Sequence, residues 1–363
     1  MHSNHSTNET NPTIFDGNIY IFYAFDIGED IDFEKIERHQ PVLLMPYSPP
    51  KYFKNYQIPL NVELPHPHDT SSCFSARLLR FGVMSLIYKI PFSDTLENLQ
   101  QVLIDVDEKY QNQSVHDAKS LYRKILPYII KPKFFHLRTS YTVIQANPIQ
   151  GQDARSFKEK FGNHIASLVR FETINLSAEQ RNEILASAQS YYRGDLVVID
   201  TEATFISDPE YHELIEIFEF ANIQQLELQY YDQVLSKKLN TIYESRISGS
   251  TWGAYLPFVN THHSATLELG RLRVDISVVT EQLENSLKLT GDPYLSAIYL
   301  TLCEQLDLEA WQKSISKKLE IIQDVRSIYE NQVTSIRSDM LSVLVIILIF
   351  IELVIGLMGY IYK

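Results

Sequence analysis

The stretch LVVIDTEATFISDP, residues 196–209, separates two halves of the chain that follow different patterns. Before it, apolar segments typical of strands alternate with helical segments. The strand segments cover residues 19–25, 41–45, 78–90, 135–144 and 196–199; the helical segments begin near Asp94, at Ala154 and at the Ser177-x-x-Gln180 capping box. After Ser207 the strand signals stop, and Asp208-Pro209 starts a long helix. The sequence therefore predicts an α+β fold with a mixed sheet, followed by helices.

We predict four segments in chain order: a disordered N-terminus (1–13), an α+β domain (14–206), a helical hairpin and stalk (207–339), and a transmembrane helix (340–360). The first long helix is expected to end near Ile247, after which the loop 248–263 reverses the chain into a second helix over 267–283. Asp292 is expected to cap a shorter helix. The last helix is expected to begin near Leu308.

That last helix carries apolar residues that step by three and four along one face. They are Leu308, Trp311, Ile315, Leu319, Ile322, Tyr329, Val333 and Ile336. Such a stripe fits either an antiparallel bundle within one chain or a coiled coil between chains. We favour a hairpin within the chain together with oligomerisation through the stalk.

The apolar stretch MLSVLVIILIFIELVIGLMGY, residues 340–360, is long enough to cross about 30 Å of bilayer hydrocarbon. It predicts a tail anchor in the lipid bilayer with the N-terminal domain in the cytoplasm, because no signal or transit peptide is visible. Glu352 lies near its middle, where a carboxylate is costly, and Gly356 and Gly359 would permit close approach of a second helix. A bacterial inner membrane is favoured, with the mitochondrial inner membrane as the alternative.

Composition excludes several classes of protein. The chain is 45% hydrophobic, which is too apolar for a disordered protein, and its 12 glycines include no phosphate-binding glycine motif. A net charge of −13 opposes general binding to nucleic acid. Cys73 and Cys303 stand alone, so we expect buried structural thiols in a reducing compartment.

Few residues suggest catalysis. Asp200 and Glu202 follow a predicted strand and resemble the first metal-binding motif of proofreading exonucleases, but the later carboxylates of such a site are missing. His66, His68 and Asp69 lack a further ligand at a suitable spacing. We therefore expect no catalytic, cofactor or metal site.

A short basic and aromatic run is the one candidate for contact with nucleic acid. It comprises Lys131, Lys133 and Arg138 with Phe134, Phe135 and His136. Such a run is more often a strand edge with solvated charge than a binding face, so nucleic acid is not the partner we expect.

Several short motifs resemble bacterial relatives of the "required for meiotic nuclear division" family. They are Ser190-Tyr-Tyr-Arg-Gly-Asp-Leu-Val-Val-Ile-Asp200, Phe218-Glu-Phe-Ala-Asn222, Gln229-Tyr-Tyr-Asp232, Leu272-Arg-Val-Asp275, Glu281-x-Leu-Glu-Asn285 and Gly291-Asp292-x-Tyr294. The resemblance covers residues 165–363 well and the N-terminal part poorly. It implies a membrane-anchored α+β domain carried on helices, and no catalytic residues.

The function we expect is a tail-anchored, oligomeric scaffold or tether for a cytoplasmic macromolecule, with an unknown protein as the partner. The missing catalytic motifs and the long helices both favour it. The alternative is an enzyme of unrecognised type in the α+β domain that uses Asp200 and Glu202 as metal ligands.

Overall fold

The computed structural model describes residues 12–49, 58–64, 73–135, 137–174, 176–248 and 292–361. The strands in these ranges are β1 Phe15–Asp26, β2 Asp30–Ile31, β3 Leu44–Met45, β4 Leu60–Val62, β5 Cys73–Leu79, β6 Val83–Asp94, β7 Ile129–Ile130, β8 Arg138–Ala146, β9 Leu196–Ile199 and β10 Ala203–Ser207. The helices are α1 Phe33–His39, α2 Leu96–Ile125, α3 Ala154–Val169, α4 Ala178–Ala186, α5 His212–Ser248, α6 Pro293–Gln305 and α7 Leu308–Ile361. The predicted loop 248–263 and second hairpin helix 267–283 lie almost entirely outside these residues.

The strands form one eight-stranded sheet in the order β3-β4-β5-β6-β1-β8-β10-β9, and β2 pairs with β7 apart from it. Strand β1 lies between β6 and β8 and is antiparallel to both, whereas β10 runs parallel to β8. The predicted α+β class with a mixed sheet is therefore confirmed.

Helices cover both faces of the sheet, which is why β1 is apolar along most of its length. Ile19, Ile21 and Tyr23 of β1 belong to the main core, which also contains residues of α2 and α3. On the opposite face Ala24 packs with Ile223 of α5 in a smaller cluster. A strand buried on both faces reads as a continuous apolar run rather than an alternating one.

Local signals place several elements correctly. Helix α3 and strand β9 have the predicted bounds, α7 begins at Leu308, and Asp292 caps α6 by accepting hydrogen bonds from two backbone N–H groups. The predicted start of α5 at Pro209 is wrong: Asp208 accepts from the N–H of Glu210 in a turn, and the helix begins at His212.

Two predictions about strands are wrong. The segment 78–90 is not one strand but the end of β5, a turn and most of β6. The turn needs Gly82, which has φ +82 and would place a Cβ against the carbonyl of Gly28. Strand β10 was not predicted, and the segment 41–45 contributes only Leu44–Met45 to the sheet.

The described residues form two compact units: 12–230 with 292–311, and 231–248 with 312–361. In the second unit Asp232 of α5 accepts a hydrogen bond from Ser314 of α7 at 2.6 Å and forms an ion pair with Lys318. Leu235 and Ile315 are buried in the same unit. The apolar stripes of α5 and α7 are thus buried, at least in part, within one chain.

The C-terminal helix corrects the membrane predictions. Within the part of the chain that the structure describes, no helix is both long and apolar enough to cross a membrane. This finding contradicts the transmembrane helix at 340–360, the tail anchor and the single-pass membrane localisation.

Candidate functional site

A buried ionic cluster joins the sheet to the first half of α5. Arg77 of β5 donates two parallel hydrogen bonds to Glu216, from Nη1 to Oε2 at 2.6 Å and from Nη2 to Oε1 at 2.7 Å. It also donates to Glu219, and its guanidinium lies 4.3 Å from the ring centroid of Tyr47. A bidentate pair of this kind fixes the relative orientation of the two side chains in addition to pairing their charges.

Sheet register and helix spacing bring these side chains together. Arg77 lies directly opposite Ser85 of β6, so both project from the same face of the sheet. Glu216 and Glu219 are three residues apart on α5 and share one face of that helix. Ser85 donates to Glu219 Oε1 at 2.6 Å, and the Tyr47 hydroxyl donates to Glu216 Oε2 at 2.9 Å.

The cluster holds two carboxylates and one guanidinium, so its charges do not cancel. Burial raises the pKa of Glu219 to about 7, against the lowering effect of Arg77. Burial disfavours the charge on Arg77, but the neighbouring carboxylates raise the pKa of this guanidinium above its ordinary value. The cluster can therefore bind or release one proton near neutral pH.

Further along α5, two buried polar side chains lack complete hydrogen bonding. Both polar atoms of the Asn222 side chain and Oε2 of Glu227 are buried without a hydrogen-bond partner among the described residues. Burial alone raises the pKa of Glu227 well above its ordinary value. Each unmade bond of this kind costs about 1–3 kcal/mol.

Asp200 and Glu202, the two metal ligands of the alternative prediction, are not arranged around one site. Asp200 is buried at the end of β9 and forms an ion pair with Arg170, whereas Glu202 is exposed in the hairpin turn before β10. Burial raises the pKa of Asp200 above its ordinary value. Among the described residues no three His, Cys, Asp or Glu side chains are placed to hold a metal ion. The candidates His66, His68 and Asp69 lie outside the described residues.

The basic and aromatic run is largely occupied by contacts within the chain. Lys131 pairs with Glu29 at 2.8 Å, and Lys133 lies 4.4 Å from the ring centroid of Tyr230 and bonds its hydroxyl. Arg138 donates to a backbone carbonyl of α2 at 3.1 Å. These contacts do not favour binding to nucleic acid. Phe135 packs against Phe25 of β1, Phe134 is exposed, and His136 lies outside the described residues.

The predicted stalk residues differ in how far they are buried. Leu308, Ile315 and Ile322 are buried, and Trp311 and Leu319 are half-buried. The side chains of Tyr329, Val333, Ile336 and Gly359 lie outside those described. Glu352 is exposed, and nothing lies within 4 Å of the position of a Cβ on Gly356.

Both cysteines are partly buried thiols. Burial raises the pKa of Cys73 to about 12 and that of Cys303 to about 11, so neither has thiolate character near neutral pH.

Sequence reasoning missed the ionic cluster completely. Arg77 and Glu219 are separated by 142 positions in the sequence. The available signal was local: two glutamates three residues apart in the apolar stretch Leu214–Ile223, where charged side chains are rarely buried without partners.

Comparison with known proteins gives one family and one relative. Residues 16–213 match the family described as "Uncharacterized protein MJ0711, N-terminal domain". The chain is 24% identical over 264 residues to the uncharacterised protein MJ0711 of Methanocaldococcus jannaschii, an alignment that covers 71% of this chain and 79% of the relative. No solved structure shows significant similarity to this chain. Because the family match covers more than half of its length, the chain belongs to the MJ0711 N-terminal domain family.

Proposed function

We propose that this protein is a non-catalytic scaffold that self-associates through the end of α7 and holds a partner protein on its α+β domain. The observation that carries this proposal is the exposed run 341–356, named here the apolar band. Ile346 is 65% exposed and Phe350 67% exposed, and large apolar side chains are exposed on every side of the helix.

An uncovered apolar band is unfavourable in water. Burial of apolar surface is worth about 25 cal/mol per Å², and monomeric proteins rarely expose contiguous apolar patches above a few hundred Å². Because the band surrounds the helix, one flat partner surface would leave half of it uncovered. Identical helices from two or more copies can enclose one another's apolar faces.

Two residues of the band support a second copy as the occupant. The open space around Gly356 permits close approach of another helix backbone. In a parallel assembly Glu352 would lie beside its counterpart from the second copy.

The alternative, a metal-dependent enzyme using Asp200 and Glu202, has little geometric support. Asp200 is engaged by Arg170, and Glu202 faces solvent. The carboxylates of the ionic cluster, of which Glu219 is buried and Glu216 half-buried, both pair with Arg77.

The test is the absolute mass of the full chain, measured by size exclusion with light scattering at several concentrations. We expect a defined oligomer without detergent, and expect Ile346→Glu to reduce it to single chains. Ser316→Glu is the matched control, because it adds the same charge at an exposed polar position of α7 and should leave the oligomer intact.

Two outcomes would overturn the self-association. One is a single-chain mass for the wild type at tens of micromolar. The other is that the wild type is recovered only when detergent micelles or phosphatidylcholine vesicles are present, and then as single chains. Detergent or lipid, rather than a second copy, would then cover the apolar band.

A further inference from the structure

Two exposed tyrosines stand side by side on the loop between α4 and β9. This tyrosine loop comprises residues 190–195, Ser-Tyr-Tyr-Arg-Gly-Asp. Tyr191 is 58% exposed and Tyr192 70% exposed, and their ring centroids are 4.8 Å apart. The Tyr191 ring also lies 5.3 Å from that of Tyr294 on α6, so two sequence motifs about a hundred residues apart meet here.

The loop is held in one conformation by its own polar groups. The buried carboxylate of Asp195 accepts from the backbone N–H of Tyr191 at 3.0 Å and from that of Tyr192 at 2.7 Å. Ser190 donates to the carbonyl of Tyr192 at 2.6 Å, and the Arg193 carbonyl accepts from the N–H of Ala154. Exposed rings on a pre-ordered loop lose little conformational entropy when a partner binds them.

Three carboxylates lie near the two rings, and the loop itself carries one exposed cation, Arg193. Asp195, Asp208 and Asp292 all act on Tyr294, whose hydroxyl donates to Asp208 at 3.5 Å. Burial and these three carboxylates raise the pKa of Tyr294 above its ordinary value. Within the described residues none of the three carboxylates forms an ion pair with Arg193 or another cation, although burial raises the pKa of Asp208 above its ordinary value.

We propose that the tyrosine loop is the docking surface for an arginine-containing segment of a partner protein. A guanidinium can stack on the face of Tyr191 or Tyr192 while the carboxylates behind the loop attract its charge. Tyrosine and arginine are also the residues that most often anchor protein interfaces. The same negative charge disfavours a phosphate-bearing partner.

This inference rests on the proposed scaffold function and adds the chemistry of the partner. Arginine is expected rather than lysine, because the planar guanidinium stacks on aromatic rings whereas the ammonium group is a compact, strongly hydrated charge. That difference separates a built surface from general attraction to a chain of net charge −13.

The experiment measures fluorescence anisotropy of three labelled twelve-residue peptides with alternating Gly and Arg, Gly and Lys, or Gly and Glu, each titrated with the full-length protein at 150 mM salt. We expect the arginine peptide to bind with a micromolar Kd, the lysine peptide at least threefold more weakly and the glutamate peptide not measurably. The double variant Tyr191→Ala, Tyr192→Ala should weaken binding of the arginine peptide at least tenfold.

Two control variants keep the result interpretable. Tyr191→Phe with Tyr192→Phe retains both rings and should bind within twofold of wild type. Phe134→Ala removes a ring that is 53% exposed elsewhere on the surface and should change nothing. Since all of these side chains are exposed or half-buried at loops, each variant should melt within a few degrees of wild type.

Equal binding of the arginine peptide to the alanine double variant would overturn the proposal, as would equal affinity for the arginine and lysine peptides. Ile346→Glu should retain full peptide binding even as single chains. Loss of self-association and loss of docking are therefore separate results, and each proposal can fail without the other.

Discussion

Replacing Arg77 by Met should remove the cation from the ionic cluster while keeping most of the apolar length of the side chain. Glu216 and Glu219 would then be left beside each other without the group that both now contact. Removing one partner of a buried ion pair costs about 3–5 kcal/mol. The whole free energy of unfolding of a typical protein is about 5–15 kcal/mol, so the variant should be clearly destabilised at pH 8.

The loss should depend on pH in a definite direction. In the native state burial raises the pKa of Glu219 to about 7 from an ordinary value of 4.5, so the folded chain holds this proton more firmly than the unfolded chain does. The stability that comes from this proton is complete below about pH 4.5 and is lost as the pH rises to about 7. Without Arg77 the native pKa rises further, so the loss continues above pH 7. The difference in free energy of unfolding between wild type and Arg77→Met should therefore widen from pH 5 to pH 8. It should widen by about 1.4 kcal/mol for each pKa unit by which the variant's Glu219 exceeds the wild type's.

Urea unfolding followed by circular dichroism at pH 5, 6, 7 and 8 measures this gap. Glu219→Gln should flatten the dependence between pH 5 and 7, because it is neutral and can still bond to Ser85 and Arg77. Combining it with Arg77→Met should cost less at pH 8 than Arg77→Met alone. A gap of the same size at pH 5 and pH 8, or a cost below about 1 kcal/mol at pH 8, would refute the reasoning.

Variants at three further positions test other polar groups. Glu227→Leu should raise the free energy of unfolding at pH 7 by about 1–3 kcal/mol, because it removes a buried oxygen without a partner, and a loss in urea unfolding would contradict this. Asp292→Ala should cost about 1 kcal/mol by removing the N-cap of α6, whereas Asp292→Asn should cost only a few tenths; equal costs would exclude capping as the cause. Lys318→Met should leave Asp232 with Ser314 alone and speed amide hydrogen exchange in α7 after residue 312, with β1 unchanged as the internal control. Unchanged exchange in α7 would show that this ion pair is not needed there.

The parts of the fold that the sequence predicts are those written in neighbouring residues. Helix α3 and the start of α7 follow from the spacing of apolar side chains, and the caps at Ser177 and Asp292 follow from one polar residue before each helix. A cap acts within three residues, so its signal survives in the sequence alone.

Features that depend on distant pairing were not predictable in the same way. Strand β10 is short and gains its place by pairing in parallel with β8, about sixty residues earlier in the chain. The turn at Gly82 depends on the close approach of Gly28, and the ionic cluster depends on which strand lies beneath α5. Local propensity cannot fix such choices, because the partner residues come from other parts of the chain.

The apolar band shows a different limit of sequence reasoning. The apolar composition and length of residues 340–360 predicted a span of the bilayer, whereas among the described residues no helix is both long and apolar enough to cross a membrane. The apolar composition indicates that the surface of the band is covered by something other than water. Which occupant covers it is decided by measuring the mass of the assembly and not by hydropathy.

The two proposals and the ionic cluster can be separated experimentally because each depends on different residues. Helix α5 carries Glu219, which bonds to Arg77 and Ser85 in the first compact unit, and Asp232, which bonds to Ser314 and Lys318 in the second. If the cluster serves only to fix α5 on the sheet, Arg77→Met should lower stability while the oligomer mass and arginine-peptide binding stay unchanged under folding conditions. If instead peptide binding by Arg77→Met also falls at pH 8 and returns at pH 5, the protonation of Glu219 must be coupled to the tyrosine loop. The cluster would then be part of the binding function, rather than only a contribution to the stability of the sheet.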